Sequence, residues 1–598
     1  MLSRFRSRLF SLVLSLPLLA PAALAADENP VSFGVPADAH FFIRGVANPE
    51  RDALDAKYVE ATIRLWDSGI LWDVVDLALS DASREEAEQV RGIVDQVLGM
   101  LGKVEWGKIF EKEFAFAYRL AMGPPEYVFL FRVPEAALEA YRGQLRGLLE
   151  DIASFAPEVM QVRDAEGSTG VRSSLVIQGA PANIGLYLGA SSDTLVLATS
   201  QAMLASSTRL LRDGTGEGSI AKAPAFRRGL EKLGPAPAEV EMYIDTGGMI
   251  DFFSGMAGIM MGMGAPPDAR PVIETVSACI NEFALLRSIV SVERTKGNRT
   301  IADTVLLVEE GNSERFLPRL LGMGRTLEGF ERGVPKEASS FSASAGCDVA
   351  GAYDALVASI RENTIEGEGL LEMWEGIQQQ FGFHLRNDLL AHLSGGSTSI
   401  CFPGKDGGAE WVWRIGLTNG EAVSASVTGG LQKGAAFLHG RGQEAEIRPV
   451  EGGLHEIRLA AFPTFRPVVG VAGKSLVLAS SAAAIQRSGA VSKGDGILES
   501  PGFRSLELGI DGPVGAVHYA NVEGQLEGFA QLLSAAGFFA SLAPQEKDTR
   551  PVIKVGAILT KLGRFFREID LELDRGGFSR TLPNGEGMFY RLVSVQRR

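Results

Sequence analysis

The chain carries one sequence pattern twice, and this repetition is the strongest constraint on its fold. Residues 194–200 read Thr-Leu-Val-Leu-Ala-Thr-Ser, and residues 475–481 read Ser-Leu-Val-Leu-Ala-Ser-Ser. Farther along, Ala-Pro-Ala-Phe at 223–226 corresponds to Ser-Pro-Gly-Phe at 500–503. The offset between the copies changes little along the chain, so few insertions separate them. We therefore predict two homologous halves, residues 26–325 and 326–598.

The strand and helix patterns within each half predict an α+β fold. Apolar residues recur at steps of three and four over 53–101 and 349–381, as amphipathic helices require. Short apolar strands are separated by hairpin-length turns such as Pro124-Pro125, which favours antiparallel pairing. We expect each half to be a largely antiparallel sheet with packed helices. The predicted closing hairpins join 286–293 to 299–308 and 567–574 to 577–582.

The first 25 residues have the pattern of a cleaved signal peptide. Arg4, Arg6 and Arg8 precede an apolar run at 9–19, and Ala-Leu-Ala at 23–25 fits a cleavage site. No cysteine follows that site, which disfavours a lipoprotein anchor. The apolar run is shorter than the roughly 20 residues that a membrane span needs. We expect export to the periplasm or the extracellular space, and no transmembrane span in the mature chain.

The charge balance limits the partners. The formal net charge is −15, and such a surface repels polyanions. We therefore expect no nucleic-acid partner. The phosphate-binding and dinucleotide-binding glycine motifs are absent from the sequence, so no cofactor is predicted.

The chain has three cysteines, Cys279, Cys347 and Cys401, too few for a disulfide framework. Each of the last two lies at the end of a predicted strand in the same half, so Cys347–Cys401 is the preferred disulfide. Buried free thiols are the alternative.

Comparison of the two halves argues against each catalytic pattern. Asp245-Thr-Gly follows an apolar strand, as in aspartic proteases, but Asn521 stands at the corresponding position and cannot share a proton with it. Both residues are good helix N-caps. Ser219 and Lys222 have the spacing of a serine–lysine pair, yet the corresponding stretch, 496–499, reads Gly-Ile-Leu-Glu. We predict no catalytic, cofactor-binding or metal-binding residues.

Two segments, 249–264 and 526–542, predict helices that are apolar nearly all round. The first is rich in methionine, whose flexible side chain suits changing apolar partners. The segments are either buried helices on a sheet or an apolar surface for a lipid or another hydrophobic chain. The candidate contact residues are Met249, Phe252, Phe253, Met256, Met260, Met263, Phe529, Leu533, Phe538 and Phe539.

The repeated motifs resemble those of exported bacterial proteins built from a repeated domain of unknown function. They are a Pro-x-x-Ala element before a strand, Leu-Arg-Asn-Asp-Leu-Leu at 385–390, the Leu-Val-Leu-Ala motif and the Pro-x-Phe helix. Copy one departs from the pattern, with Lys-Ile-Phe at 108–110. The resemblance implies no activity and no site residues.

These patterns predict an exported, non-catalytic envelope protein for binding, scaffolding or assembly. The alternative is a carrier or sensor of a hydrophobic ligand or lipid that uses the two apolar helices, and a hydrolase comes third. The partner would be another envelope protein or a lipid-like ligand. A binder should expose an apolar patch, a carrier should enclose an apolar cavity, and an enzyme should have a polar cleft with perturbed titratable groups.

Overall fold

The structure of the chain is a computed structural model. It describes residues 30–51, 57, 60–61, 63–65, 67–78, 84–167, 170–178, 185–235, 237–262, 270–364, 367–381, 384–403, 409–440, 445–459, 466–489, 491–492, 494–541, 550–569 and 571–597. The predicted signal peptide therefore lies outside the described residues.

The described chain combines strands with helices, and its paired strands run antiparallel, which confirms the α+β prediction. The helices are α1 Ile70–Ala78, α2 Arg84–Leu101, α3 Trp106–Ile109, α4 Leu138–Ala153, α5 Gln201–Asp213, α6 Pro224–Leu233, α7 Thr246–Gly262, α8 Arg270–Phe283, α9 Phe316–Leu320, α10 Val349–Asn363, α11 Gly367–Phe381, α12 Gly420–Gly440, α13 Ala482–Gly489, α14 Pro501–Ser505, α15 Val522–Ser541 and α16 Arg550–Glu568. The strands are β1 Phe41–Val46, β2 Glu113–Arg119, β3 Glu126–Arg132, β4 Met160–Gly167, β5 Gly170–Ile177, β6 Gly185–Ser191, β7 Thr194–Ala198, β8 Val240–Ile244, β9 Leu286–Lys296, β10 Arg299–Val308, β11 Ser340–Ser344, β12 Leu393–Pro403, β13 Ala409–Leu417, β14 Ala445–Val450, β15 Leu454–Leu459, β16 Val468–Ala472, β17 Ser475–Ala479, β18 Ala516–Asn521, β19 Leu573–Thr581 and β20 Gly587–Gln596.

The same strand order occurs early and late in the chain. The first series pairs as β4-β5-β6-β7-β3-β2-β1-β8-β9. The second pairs as β14-β15-β16-β17-β13-β12-β11-β18-β19-β20. The repeated sequence motifs occupy matching places in these two series, β7 with β17 and α6 with α14.

The repeated Pro-x-Phe motif is a packing feature in both places. Phe226, in the first turn of α6, packs edge-on against Phe42 at 5.6 Å and against Tyr243 at 5.6 Å between ring centroids. All three rings are buried, and such edge contacts add to the burial of their apolar area. The corresponding trio around the second series is Phe341, Phe503 and Tyr519.

The chain divides into two compact units that do not coincide with the predicted halves. Unit 1 comprises Met1–Asp245, Ile289–Ala302 and Leu532–Leu571. Unit 2 comprises Thr246–Ser288, Asp303–Gln531 and Glu572–Arg598.

Each unit therefore includes helices from the other half of the sequence. In unit 1, α16 packs on α1 through Ile70, Ile558 and Phe565. In unit 2, α8 packs on α10. The apolar faces of α8 and α16 are covered by helices that lie far away in the sequence, and no repeat boundary predicts this pairing.

The predicted closing hairpin of the second half is wrong. Residues up to Glu568 belong to α16, whose amphipathic pattern extends the helix, and the hairpin is formed by β19 and β20. Its turn includes Asn584, which has a φ of 59°, a conformation typical of Asn and Gly. The predicted turn at 575–576 lies inside β19 instead, and there a Cβ on the neighbouring Gly577 would meet the Arg591 carbonyl at 2.0 Å.

The predicted Cys347–Cys401 disulfide is also wrong, because all three thiols are unbridged. Cys401 pairs with Ser340 at one end of β11, whereas Cys347 follows the other end and contacts Gly395. Gly395 and Cys401 are six positions apart along β12, which corresponds to roughly 20 Å at about 3.3 Å per residue. A disulfide requires Cα atoms within about 7 Å.

A buried ion cluster holds the β1–β2–β3 part of the first sheet. The Glu113 carboxylate accepts hydrogen bonds from Arg44 Nε at 2.5 Å and from the Val31 backbone N–H at 3.1 Å. Arg132 Nη1 lies 2.9 Å from its other oxygen. All three charged side chains are buried, so each needs a compensating partner, and the shared Glu113 carboxylate is the nearest one for both arginines.

We expect Glu113→Gln to destabilise the protein by about 3 kcal/mol. It removes the carboxylate that Arg44 and Arg132 share, and it leaves each guanidinium group with one longer contact, 3.3 Å to Glu241 and 3.3 Å to Asp193 respectively. The measurement is the urea midpoint of unfolding, followed by circular dichroism. The control is Glu217→Gln, whose partner Lys222 is partly exposed, and it should leave the midpoint unchanged. Equal midpoints for the two variants would show that the cluster contributes nothing.

Candidate functional site: an apolar groove on α8, α10 and α11

The two apolar segments predicted from the sequence form α7 and α15. On α7, Phe253 and Met256 are exposed, whereas Met249 and Phe252 are half-buried. On α15, Phe529 is exposed and Leu533 is half-buried. Met260, Phe538 and Phe539 lie within these helices, and Met263 lies outside the described residues. The role of these side chains as contacts remains a prediction.

The glycines of the two helices have different surroundings. A Cβ on Gly537 would lie 2.3 Å from Thr560 Oγ1 and 2.6 Å from the Gly556 carbonyl, so α15 and α16 touch there through their backbones. A Cβ on Gly258 of α7 would meet nothing within 4 Å. Close packing therefore explains Gly537 but not Gly258.

We expect Gly537→Ala to lower the thermal midpoint, because the methyl group forces α15 and α16 apart. Gly258→Ala is the matched control, and it should keep or raise the midpoint because Ala favours a helix by about 1 kcal/mol over Gly. Differential scanning fluorimetry measures both. An unchanged midpoint for Gly537→Ala would contradict the close contact.

Unit 2 contains an apolar groove that the sequence reasoning missed. Its volume is about 360 Å³, and its walls come from three helices. One wall residue, Val276, comes from α8 in the first half of the sequence, and the others come from α10 and α11 in the second half. The lining residues are Val276, Tyr353, Leu356, Val357, Ile360, Leu370, Leu371 and Trp374.

Helix α8 is held in place at its C-terminal end. The buried Glu282 carboxylate accepts hydrogen bonds from the Arg315 guanidinium and, at 3.3 Å, from the Phe316 backbone N–H. The Phe283 and Phe316 rings pack edge-on at 5.6 Å. These contacts hold α8 in place, and α8 contributes Val276 to the groove wall.

The local sequence explains the other two walls. The Asp348 carboxylate caps α10 by accepting a hydrogen bond from the Gly351 N–H at 3.0 Å. The apolar residues of α10 and α11 recur at steps of three and four, which places them on one face of each helix. This periodicity was the signal for the groove: Tyr353, Leu356, Val357 and Ile360 on α10, and Leu370, Trp374 and Ile377 on α11.

Helix α11 carries three exposed apolar side chains, of which Trp374 lines the groove and Met373 and Ile377 are its neighbours on the same helix; together they are called the rim. Met373 is 60% exposed, Trp374 38% and Ile377 40%. Trp374 Nε1 donates a hydrogen bond to the Tyr353 hydroxyl at 2.9 Å, which links the two walls. A cluster of large apolar side chains in water is typical of a binding surface.

A polar groove of about 440 Å³ adjoins the apolar groove, and both are lined by Tyr353, Val357, Leu371 and Trp374. Arg386 Nη2 donates to Asp354 at 2.8 Å, and this hydrogen bond lowers the pKa of Asp354 below its ordinary value. His384 Nδ1 lies 3.3 Å from Glu375.

The residues of the two catalytic patterns in the sequence make contacts with their near neighbours in the chain. The Asn521 side chain accepts a hydrogen bond from the Gly524 N–H at 3.1 Å, as an N-cap of α15 does, and Asp245 directly precedes α7. The buried Ser219 hydroxyl donates to the Gly216 carbonyl at 2.6 Å, whereas Lys222 pairs with Glu217.

No group of three or more His, Cys, Asp or Glu side chains among the described residues is arranged to hold a metal ion. No helix in the described ranges combines the length and apolar character needed to cross a membrane.

Comparisons with known proteins identify no relative of known function. No protein-family profile matches the chain, and no curated protein matches it. Crystal form III of TP0453 is similar, with 11% identity, over 51% of this chain and 90% of that chain, at a TM-score of 0.21. Crystal form IV of TP0453 has 10% identity over 51% and 89%, at a TM-score of 0.20. Likenesses at these TM-scores carry no argument about fold or function.

Proposed function

We propose that this chain is an exported, non-catalytic protein that binds an apolar partner in the groove on α8, α10 and α11. The observation that carries the proposal is the exposed apolar rim of Met373, Trp374 and Ile377 beside the apolar groove. Covering these side chains would remove apolar surface from water, at about 25 cal/mol per Å². Export is supported by the pattern of the first 25 residues, and duplication by the matching strand orders.

The groove favours partner binding over the carriage of a lipid. A carrier encloses its ligand, and ligand pockets bury most of the ligand surface. Here the groove is open along α11, where its rim residues remain in contact with water. Helix α7 belongs to the same unit as the groove, and its exposed Phe253 and Met256 add apolar surface to that unit.

We expect a photo-crosslinking amino acid at Met373 to form a specific adduct when the full chain is expressed in its own cells. The control position is Val159, which is 43% exposed and lies outside the groove. Adducts are compared by mass spectrometry after purification. Leu371→Asp should abolish the adduct at position 373, because it places a charge on the groove wall.

Equal adducts at the two positions, or an adduct at 373 that persists in Leu371→Asp, would contradict the proposal. Native mass spectrometry of residues 26–598 tests the carrier alternative. A discrete added mass that disappears on delipidation would favour carriage of a lipid, and a stoichiometric protein partner would favour the binding function.

A further inference from the structure

We infer that the partner is an amphipathic α-helix whose apolar stripe is flanked by Lys or Arg residues. This inference rests on the proposed function and adds the chemical class of the partner. Two independent observations carry it: the spacing of the apolar residues on the groove walls, and the charges beside them.

The spacing favours a helix as the occupant. Tyr353, Val357 and Ile360 on α10 follow one another at four and three residues, and Leu370, Trp374 and Ile377 on α11 do the same. Side chains at these spacings form ridges on a helix surface, and the side chains of another helix pack into the grooves between such ridges. The wall from α10 is half-buried and the rim on α11 is exposed, so an incoming helix would complete a three-helix contact.

The charges favour a basic occupant. The polar groove beside the apolar one is lined by four carboxylates, Asp354, Glu368, Glu372 and Glu375, and by two guanidinium groups, Arg361 and Arg386.

The guanidinium groups already have partners in this groove. Arg386 pairs with Asp354, and Arg361 Nε lies 3.3 Å from Glu368. Within the part of the chain that the structure describes, Glu372 has no ion-pair partner. Glu375 lies 3.3 Å from His384 Nδ1 and accepts a hydrogen bond from Gln378 at 3.5 Å. Both carboxylates are exposed and available to a partner.

The order of charged and apolar residues on α11 matches that of a helix-pairing surface. Glu368, Glu372 and Glu375 follow one another at four and three residues, beside the apolar row through Leu370, Leu371 and Trp374. In paired helices, charged residues beside the apolar seam select the partner. A Lys or Arg stem could lie across the Trp374 ring while its charged end reaches Glu372.

The test uses the full mature chain and three labelled helical peptides of about 18 residues, or roughly five turns. All three carry the same leucine stripe, and their flanking positions are Lys, Gln or Glu. Fluorescence anisotropy measures Kd. We expect the Lys peptide to bind roughly tenfold more tightly than the Gln peptide, the Glu peptide to bind most weakly, and the preference to fall with added salt.

Three variants separate the contributions. Glu372→Lys should remove the preference for the Lys peptide, and Glu372→Gln should reduce it. The matched control is Glu421→Lys, an exposed acid of unit 2 outside both grooves, which should leave all three Kd values unchanged. Circular dichroism confirms that each variant is folded.

The outcomes distinguish this inference from the proposed function. Equal binding of all three peptides, lost in Leu371→Asp, would overturn the charge preference and leave the apolar groove as a binding site. Failure of all three peptides to bind would overturn the helix inference, and the crosslink at position 373 would still test the groove. Binding of zwitterionic lipid vesicles or self-association that the Lys peptide cannot displace would also overturn it.

Discussion

The packing of α8 on α10 is the interaction on which the surface of unit 2 depends. It brings a helix from the first half of the sequence against helices from the second half, and Val276 thereby becomes part of the groove wall. The buried Glu282, with its bonds to Arg315 and Phe316, holds the end of α8 in that position. Without this contact, the apolar face of α10 would lie open and the groove would lose one wall.

Unit 1 uses the same kind of construction with different side chains. There α16 packs on α1, and Lys561 pairs with Asp73 across the contact. Among the side chains that the structure describes in these two helices, the exposed large apolar ones are Val74, Val552 and Val555, rather than a Trp, Met and Ile cluster. The two helix pairs therefore present different surfaces. The surface with the larger, more adaptable side chains is the better candidate for binding, since Trp and Met dominate contact surfaces.

The glycine-rich apolar helices show why composition alone cannot assign a role. Gly537 allows α15 and α16 to touch, whereas Gly258 of α7 faces open space. The same residue type thus marks close packing in one helix and an exposed face in the other.

The sequence by itself determined the α+β class and most strands, because these follow from the local periodicity of apolar residues. Phe226 packs edge-on against Tyr243, and Phe503 packs edge-on against Tyr519, at matching positions of the repeated sequence motifs. Only the tertiary structure decided that α8 and α16 cross between the halves, that Cys347 and Cys401 lie far apart, and that a groove forms beside Trp374. Contacts between distant segments depend on shape and burial in three dimensions. The periodicity of α10 and α11 marks the apolar face of each helix, but it does not say which distant helix packs against that face.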